Sequence, residues 1–234
     1  MLAPVNETWA QAERLRISGC FESAARVYRE LLAAINASNR LWVPARHMLA
    51  VTLKSLAAPG TAEITEAEKI LFDLVTSGIV TDEVMINKIE RDHADVFRKI
   101  GIYPRARELA QQTFEAFMNW GRSDEAGISL GFVARAEFDY GQLHTAVFTG
   151  EMADRLIREF TDAKEPWLYN MVWVARYYAH TGSHKLPLTL MDIADALKDG
   201  LGNGTHRRAI EVIRELHSDP IKMEEALASA GTPF

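Results

Sequence analysis

The stretch Ala12-Glu-Arg-Leu-Arg-Ile-Ser-Gly19-Cys-Phe21-Glu-Ser-Ala24-Ala-Arg-Val-Tyr28-Arg-Glu-Leu31 places a helical pattern on each side of a glycine turn, with a small residue anchoring each side. Two antiparallel helices approach closely only where one of the facing side chains is small, while Tyr28 and Leu31 fill the adjoining space. Looser copies follow: Ala94, Gly101, Tyr103, Ala106 and Ala110; then Ala134, Gly141, Leu143, Ala146, Gly150 and Ala153; then Ala175 and Gly182. Ala67, Leu71 and Leu74 supply a second-helix anchor without the glycine turn. The anchors Ala24, Ala67, Ala106 and Ala146 recur about every forty residues, a period that marks stacked supersecondary units that cannot bury their apolar faces alone.

Helical periodicity runs almost without interruption and strand-like alternation is nearly absent, which predicts an all-α chain. Helices are expected near 6–18, 21–36, 40–57, 64–77, 80–100, 103–119, 122–140, 143–161, 166–181, 186–199, 204–217 and 220–230, about twelve in all. Pro104, Pro166, Pro187 and Pro220 fall where a first helical turn tolerates a missing N–H. Thr81-Asp82-Glu83 and Ser123-Asp124-Glu125 supply side-chain acceptors and negative charge at helix starts. The longest irregular stretch, Ala57-Ala-Pro-Gly-Thr61, reads as an enlarged loop. No linker divides the chain, so one domain of repeats is expected over 5–38, 40–78, 80–120, 122–162 and 166–200, with polar capping helices over 204–230.

The turn and second helix Gly19-Cys-Phe-Glu-Ser-Ala-Ala-Arg-Val-Tyr-Arg-Glu-Leu-Leu resemble those of the tetratricopeptide repeat family. Units of about forty residues, joined by stretches such as Phe117-Met-Asn-Trp-Gly-Arg-Ser-Asp-Glu-Ala, are similar to the long-repeat form found in bacterial regulators and adaptors. The resemblance covers roughly residues 5–185. It implies a right-handed α-solenoid of antiparallel helix pairs that binds a peptide or protein on a concave face lined by the first helix of each pair.

Composition narrows the partner classes. The 234 residues are 48% hydrophobic and 25% charged with a net charge of −6, so a nucleic-acid partner is not expected. Cys20 is the only cysteine, which excludes an intrachain disulfide and a cysteine-based zinc site. No apolar run has membrane-spanning length, and the first residues show no basic segment followed by an apolar one; a cytoplasmic location is expected.

Signatures of catalysis are sparse. Glu90-Arg-Asp-His93 has the Glu-x-x-His spacing of di-metal bundles, but no second copy occurs, so a solvated charged face is the expectation. His180 and His184 flank a Thr-Gly-Ser turn and read as surface histidines. Gly200-Leu-Gly202-Asn-Gly204 sits between helices rather than after a strand, and so reads as a connection and not a phosphate loop. No Gly-x-Ser-x-Gly pattern frames a serine. No enzyme activity, cofactor or metal is expected.

Aligning Ala12, Ala50, Ala94, Ala134 and Ala175 puts Glu13, Val51, Asp95, Arg135 and Arg176 at equivalent positions toward the groove implied by the resemblance. The basic members Lys54, Arg91, Arg98, Arg135 and Arg176 could clamp carboxylates, with Phe138, Tyr169 and Trp173 as apolar anchors. Pairing of these cations with Asp95, Asp139 and Glu137 is the competing reading. The leading expectation is a non-enzymatic peptide- or protein-binding scaffold that uses Lys54, Arg91, Arg98, Arg135, Phe138, Tyr169 and Arg176 to hold an acidic segment. Two alternatives stay open: a ligand-responsive regulator that changes superhelical shape on binding a small peptide or nucleotide, and an all-helical enzyme. Exposed ends of a solenoid also leave self-association open.

Overall fold

The computed structural model describes residues 4–160 and 164–198. Its ten helices are α1 (Val5–Ile17), α2 (Phe21–Ala34), α3 (Trp42–Leu56), α4 (Ala62–Thr76), α5 (Glu83–Lys99), α6 (Tyr103–Asn119), α7 (Ser123–Asp139), α8 (Leu143–Phe160), α9 (Lys164–Thr181) and α10 (Leu186–Lys198). No strand occurs among the described residues. The two further helices expected over 204–230, and the glycine-rich connection before them, lie outside the described residues.

Two compact units divide the chain after Gly101. In the first unit α1 to α5 pack in sequence order, each helix on the next. In the second, α6 to α10 do the same, and α9 also touches α7 directly. No described helix is long and apolar enough to cross a membrane.

The anchoring residues behave as the sterics require. Ala12, Ala24, Ala50, Ala67, Ala94, Ala106, Ala134, Ala146 and Ala175 are all buried to within a percent of completely. Tyr28 and Leu31 fill the first unit's core beside Ala24, and Tyr28 donates its hydroxyl hydrogen to the Glu13 carboxylate. The turns within pairs depend on a left-handed residue. Gly101 and Gly141 both adopt φ +85°, and the Gln142 N–H reaches back to the Glu137 carbonyl at 2.8 Å to close the end of α7.

Asp82 caps α5 as expected, its carboxylate accepting from the Val84 N–H at 3.0 Å. The start of α7 differs: Arg122 is the cap position and makes no side-chain cap bond, while Ser123 is already helical. Glu125 then lies in the first turn, 3.8 Å from the Arg122 guanidinium, where its charge opposes the positive helix end.

Three glycines inside helices serve close approach rather than turning. A Cβ on Gly127 would lie 3.0 Å from the Ile157 and Leu156 side chains, and one on Gly150 would lie 2.9 Å from the Tyr177 ring. A Cβ on Gly131 would meet Asn170 Oδ1 at 2.9 Å. The first two seat α7 against α8 and α8 against α9, and the third brings α9 onto α7.

Candidate functional site

The face shared by α7 and α9 follows from helical spacing alone. Phe132, Arg135 and Phe138 recur every three residues on α7, while Tyr169, Trp173, Arg176 and His180 recur every three or four on α9. Ala134 and Ala175, both fully buried, let the two helices meet, and Gly131 admits the Asn170 amide, which donates to the Gly150 carbonyl at 3.2 Å.

This packing surrounds the Arg135 guanidinium with aromatic rings, those of Phe132 at 4.3 Å, Tyr169 at 4.2 Å and Trp173 at 5.5 Å. Arg176 lies 5.0 Å from the same Trp173 ring and 4.9 Å from Phe138. His180 packs edge-on against Phe138 at 4.9 Å. Arg135 is only 2% exposed and Phe138 is buried, whereas Tyr169 is 42% exposed and forms the solvent side of the cluster. Among the described residues Arg135 makes no hydrogen bond or ion pair, and its Nε and Nη1 are shut from solvent. The quadrupoles of the rings favour a cation, but they do not engage its N–H donors as a carboxylate would.

His180 is buried instead of lying on the surface, with both ring nitrogens unpartnered among the described residues; His184, past the turn, is exposed. Burial, and then the Arg176 charge, push its imidazole down to about 4, against a weaker pull from Asp139.

The cations of the first unit stand in different surroundings. Lys54 Nζ lies 2.7 Å from Asp92 and 3.1 Å from Asp95, and Arg98 Nε lies 2.7 Å from Asp95. His47 Nε2 sits 2.8 Å from Asp92, and Lys99 donates to the Lys54 carbonyl at 2.6 Å. All of Lys54, Asp95, Arg98 and His47 are buried, so this is a compensated network between α3 and α5. Burial alone would raise the Asp92 pKa. The Lys54 charge and the His47 hydrogen bond outweigh it, with Arg91 contributing, and hold the carboxylate well below its usual range.

Of the seven residues singled out in the sequence, Arg135, Phe138, Tyr169 and Arg176 therefore converge on one cluster. Lys54 and Arg98 join a second, and Arg91 is half-buried near it. Helical spacing also located Trp173. It did not find Asp92, the hub of the second cluster, whose signal was confined to its place one turn before Asp95. His93 corrects the expectation of a solvated face: it is buried, stacked on Phe97 at 4.5 Å and 3.3 Å from Glu68. Among the described residues no three His, Cys, Asp or Glu side chains converge to hold a metal, and Cys20 is exposed.

Solved structures share this fold. A protein from Podosopora anserina assigned to the kinesin light chains, with nearly identical TPR-like repeats, superposes with TM-score 0.55 at 17% identity, over 93% of this chain and 96% of that one. The fold is TPR-like. A second structure of that TPR-like protein gives TM-score 0.54 at 17% identity over 92% and 97% of the two chains. A MamA RS-1 double mutant gives 0.46 at 14% identity over 92% and 97%. No protein-family model and no curated protein sequence matches the chain.

Proposed function

We propose that this TPR-like protein is a non-enzymatic scaffold that holds an acidic segment of a protein or peptide partner, with the α7–α9 face as the contact. The observation that carries this reading is Arg135, a buried cation among three aromatic rings with no acidic partner among the described residues. Arginine and aromatic side chains in a dry cluster are what binding hot spots are built from. Arg176, Phe138 and Tyr169 extend the same surface. Lys54 and Arg98 share Asp92 and Asp95, so in this reading their first duty is to the fold.

Affinity capture from native lysate tests the proposal, with wild-type protein, a Tyr169→Ala/Arg176→Gln variant and a Lys54→Met variant as baits. A partner held by wild type and by Lys54→Met, but lost by the α7–α9 variant at unchanged helicity, supports it. A partner retained equally by all three baits removes this face from the interaction.

A further inference from the structure

Two positions on the outer side of the second helices change character along the chain. Two and six residues after the anchoring alanine, α2 carries Arg26 and Glu30, α4 carries Lys69 and Asp73, and α6 carries Glu108 and Gln112. On α8 the same positions hold Phe148 and Met152, both exposed. Leu188 and Met191 are exposed on α10 as well. Two ion pairs fix how α8 and α10 lie. Lys185, just before α10, reaches Glu151 at 2.7 Å, and Arg158 stands 3.7 Å from Asp192. Residues 151 and 158 are as far apart in sequence as 185 and 192, so the two helices run side by side in the same direction. Phe148, Glu151 and Arg158 share one stripe of α8, and Lys185, Leu188 and Asp192 share one stripe approaching and along α10. Phe148 and Leu188 therefore line the seam between the helices, yet they stay 65% and 67% exposed. With Met152 and Met191 they make an apolar strip about 14 Å long at the rise of an α-helix.

We infer that the α8–α10 seam is a self-association surface, on which a second copy of this chain docks through the same seam in a two-fold pairing. Single apolar side chains on a surface are ordinary. Four together across two helices, at places where the earlier second helices keep charge or amide, mark a surface that is covered in use. The charges beside the strip select the occupant. One end of the seam closes in Glu151 with Lys185, the other in Arg158 with Asp192. Each end is neutral, so a partner rich in one sign of charge gains no net attraction along it. A copy turned about a two-fold axis lays its Arg158–Asp192 end against the Glu151–Lys185 end. Acid then meets base at both ends, and the apolar strip meets its own counterpart. Each contact is made twice, and an isologous interface of this kind closes at two copies. The seam uses neither Arg135 nor Tyr169, so the inference is independent of the reading of the α7–α9 face. A dimer carries that face twice, which favours a partner with repeated segments.

Sedimentation equilibrium of the full chain, from micromolar to submillimolar concentration, tests this. Wild-type protein is expected to pass from monomer to dimer and to stop there. Phe148→Ser/Leu188→Ser, which alters only exposed side chains, is expected to raise the dimer Kd tenfold or more at unchanged helicity. Ile17→Ser, an equally exposed apolar position on α1, leaves the Kd where it was. Charge reversal then tests the two-fold pairing. Lys185→Glu/Arg158→Glu makes the seam wholly acidic, and Glu151→Lys/Asp192→Lys makes it wholly basic, so each variant alone repels its own copy. Their equimolar mixture is expected to dimerise at least tenfold more tightly than either alone, a rescue that a damaged fold does not give. A monomer at every concentration overturns the inference. So does a dimer indifferent to Phe148 and Leu188, an equal loss with Ile17→Ser, growth beyond two copies, or a mixture no tighter than its components. The Phe148/Leu188 variant keeps the question decidable if a charge variant folds poorly.

Discussion

Replacing Lys54 with methionine tests whether the first unit's charge network holds the fold. The substitution keeps the length and apolar stem of the side chain and removes only the ammonium group, which lies 2.7 Å from Asp92 and 3.1 Å from Asp95. Arg98 still faces Asp95 and His47 still faces Asp92, but the buried Asp95 and the partly exposed Asp92 then share less positive charge than they were folded around. Breaking one partner out of a buried ion pair typically costs about 3–5 kcal/mol, because the remaining charge stays desolvated. With an unfolding slope of about 2 kcal/mol per M urea, the midpoint falls by about 1.5–2.5 M. Urea titration followed by far-UV circular dichroism measures this directly. Arg26→Met is the internal control: its pair with Glu30 is 3.6 Å long and both side chains are more than half exposed, so the shift there stays within about 0.3 M. In the double variant Lys54→Met/Asp92→Asn the losses add to less than their sum, since the second change removes a charge the first left uncompensated. A Lys54→Met shift no larger than the control's would refute the reasoning and return Lys54 to the pool of available cations.

Three further outcomes follow from single contacts. His180 is held neutral with its folded pKa below that of the unfolded chain, so the unfolded state binds the proton first as pH falls from about 6.5 to about 4. Stability of the second unit is therefore full above that window and declines through it by at most about 3 kcal/mol; His180→Phe flattens this part of the urea-midpoint profile, and an unchanged slope would contradict the burial argument. Gly150→Ala puts a methyl group 2.9 Å from the fully buried Tyr177 ring and 3.2 Å from Val174. Overpacking of about 1–3 kcal/mol exceeds the helix-propensity gain of about 1, so the melting temperature drops, and a rise would mean that α8 and α9 separate without strain. Tyr28→Phe deletes the buried hydroxyl bonded to Glu13 and costs about 1.5–3 kcal/mol in chemical denaturation, whereas a loss below half a kcal/mol would show that Glu13 repairs itself through Arg16.

The sequence made the architecture readable because its controlling constraint is local. A small residue where helices meet, and a glycine that takes positive φ between them, recur with the repeat, so the ends of the described helices fall within three residues of expectation. The face carrying Arg135, Phe138, Tyr169 and Arg176 was readable for the same reason. Charge compensation was not, because it is settled between helices: Lys54 meets Asp92 from 38 residues away, and periodicity names the face a side chain shares but not the acid it reaches. His180 shows the same limit, since the turn after it says nothing of Phe138 packing over its ring. The register itself carries the remaining information. Where an acid stands directly after the anchoring alanine, at Glu13 and Asp95, a base three residues on neutralises it, and those pairs serve the fold. Where arginine takes that position and phenylalanine takes the next, the repeat keeps the geometry and gives up the internal partner. The departure leaves a buried cation ringed by aromatics. Val51 after Ala50 and Arg176 after Ala175 depart from the rule as well, so the register alone does not single out Arg135; the packing of α9 on α7 does, by burying it among Phe132, Tyr169 and Trp173.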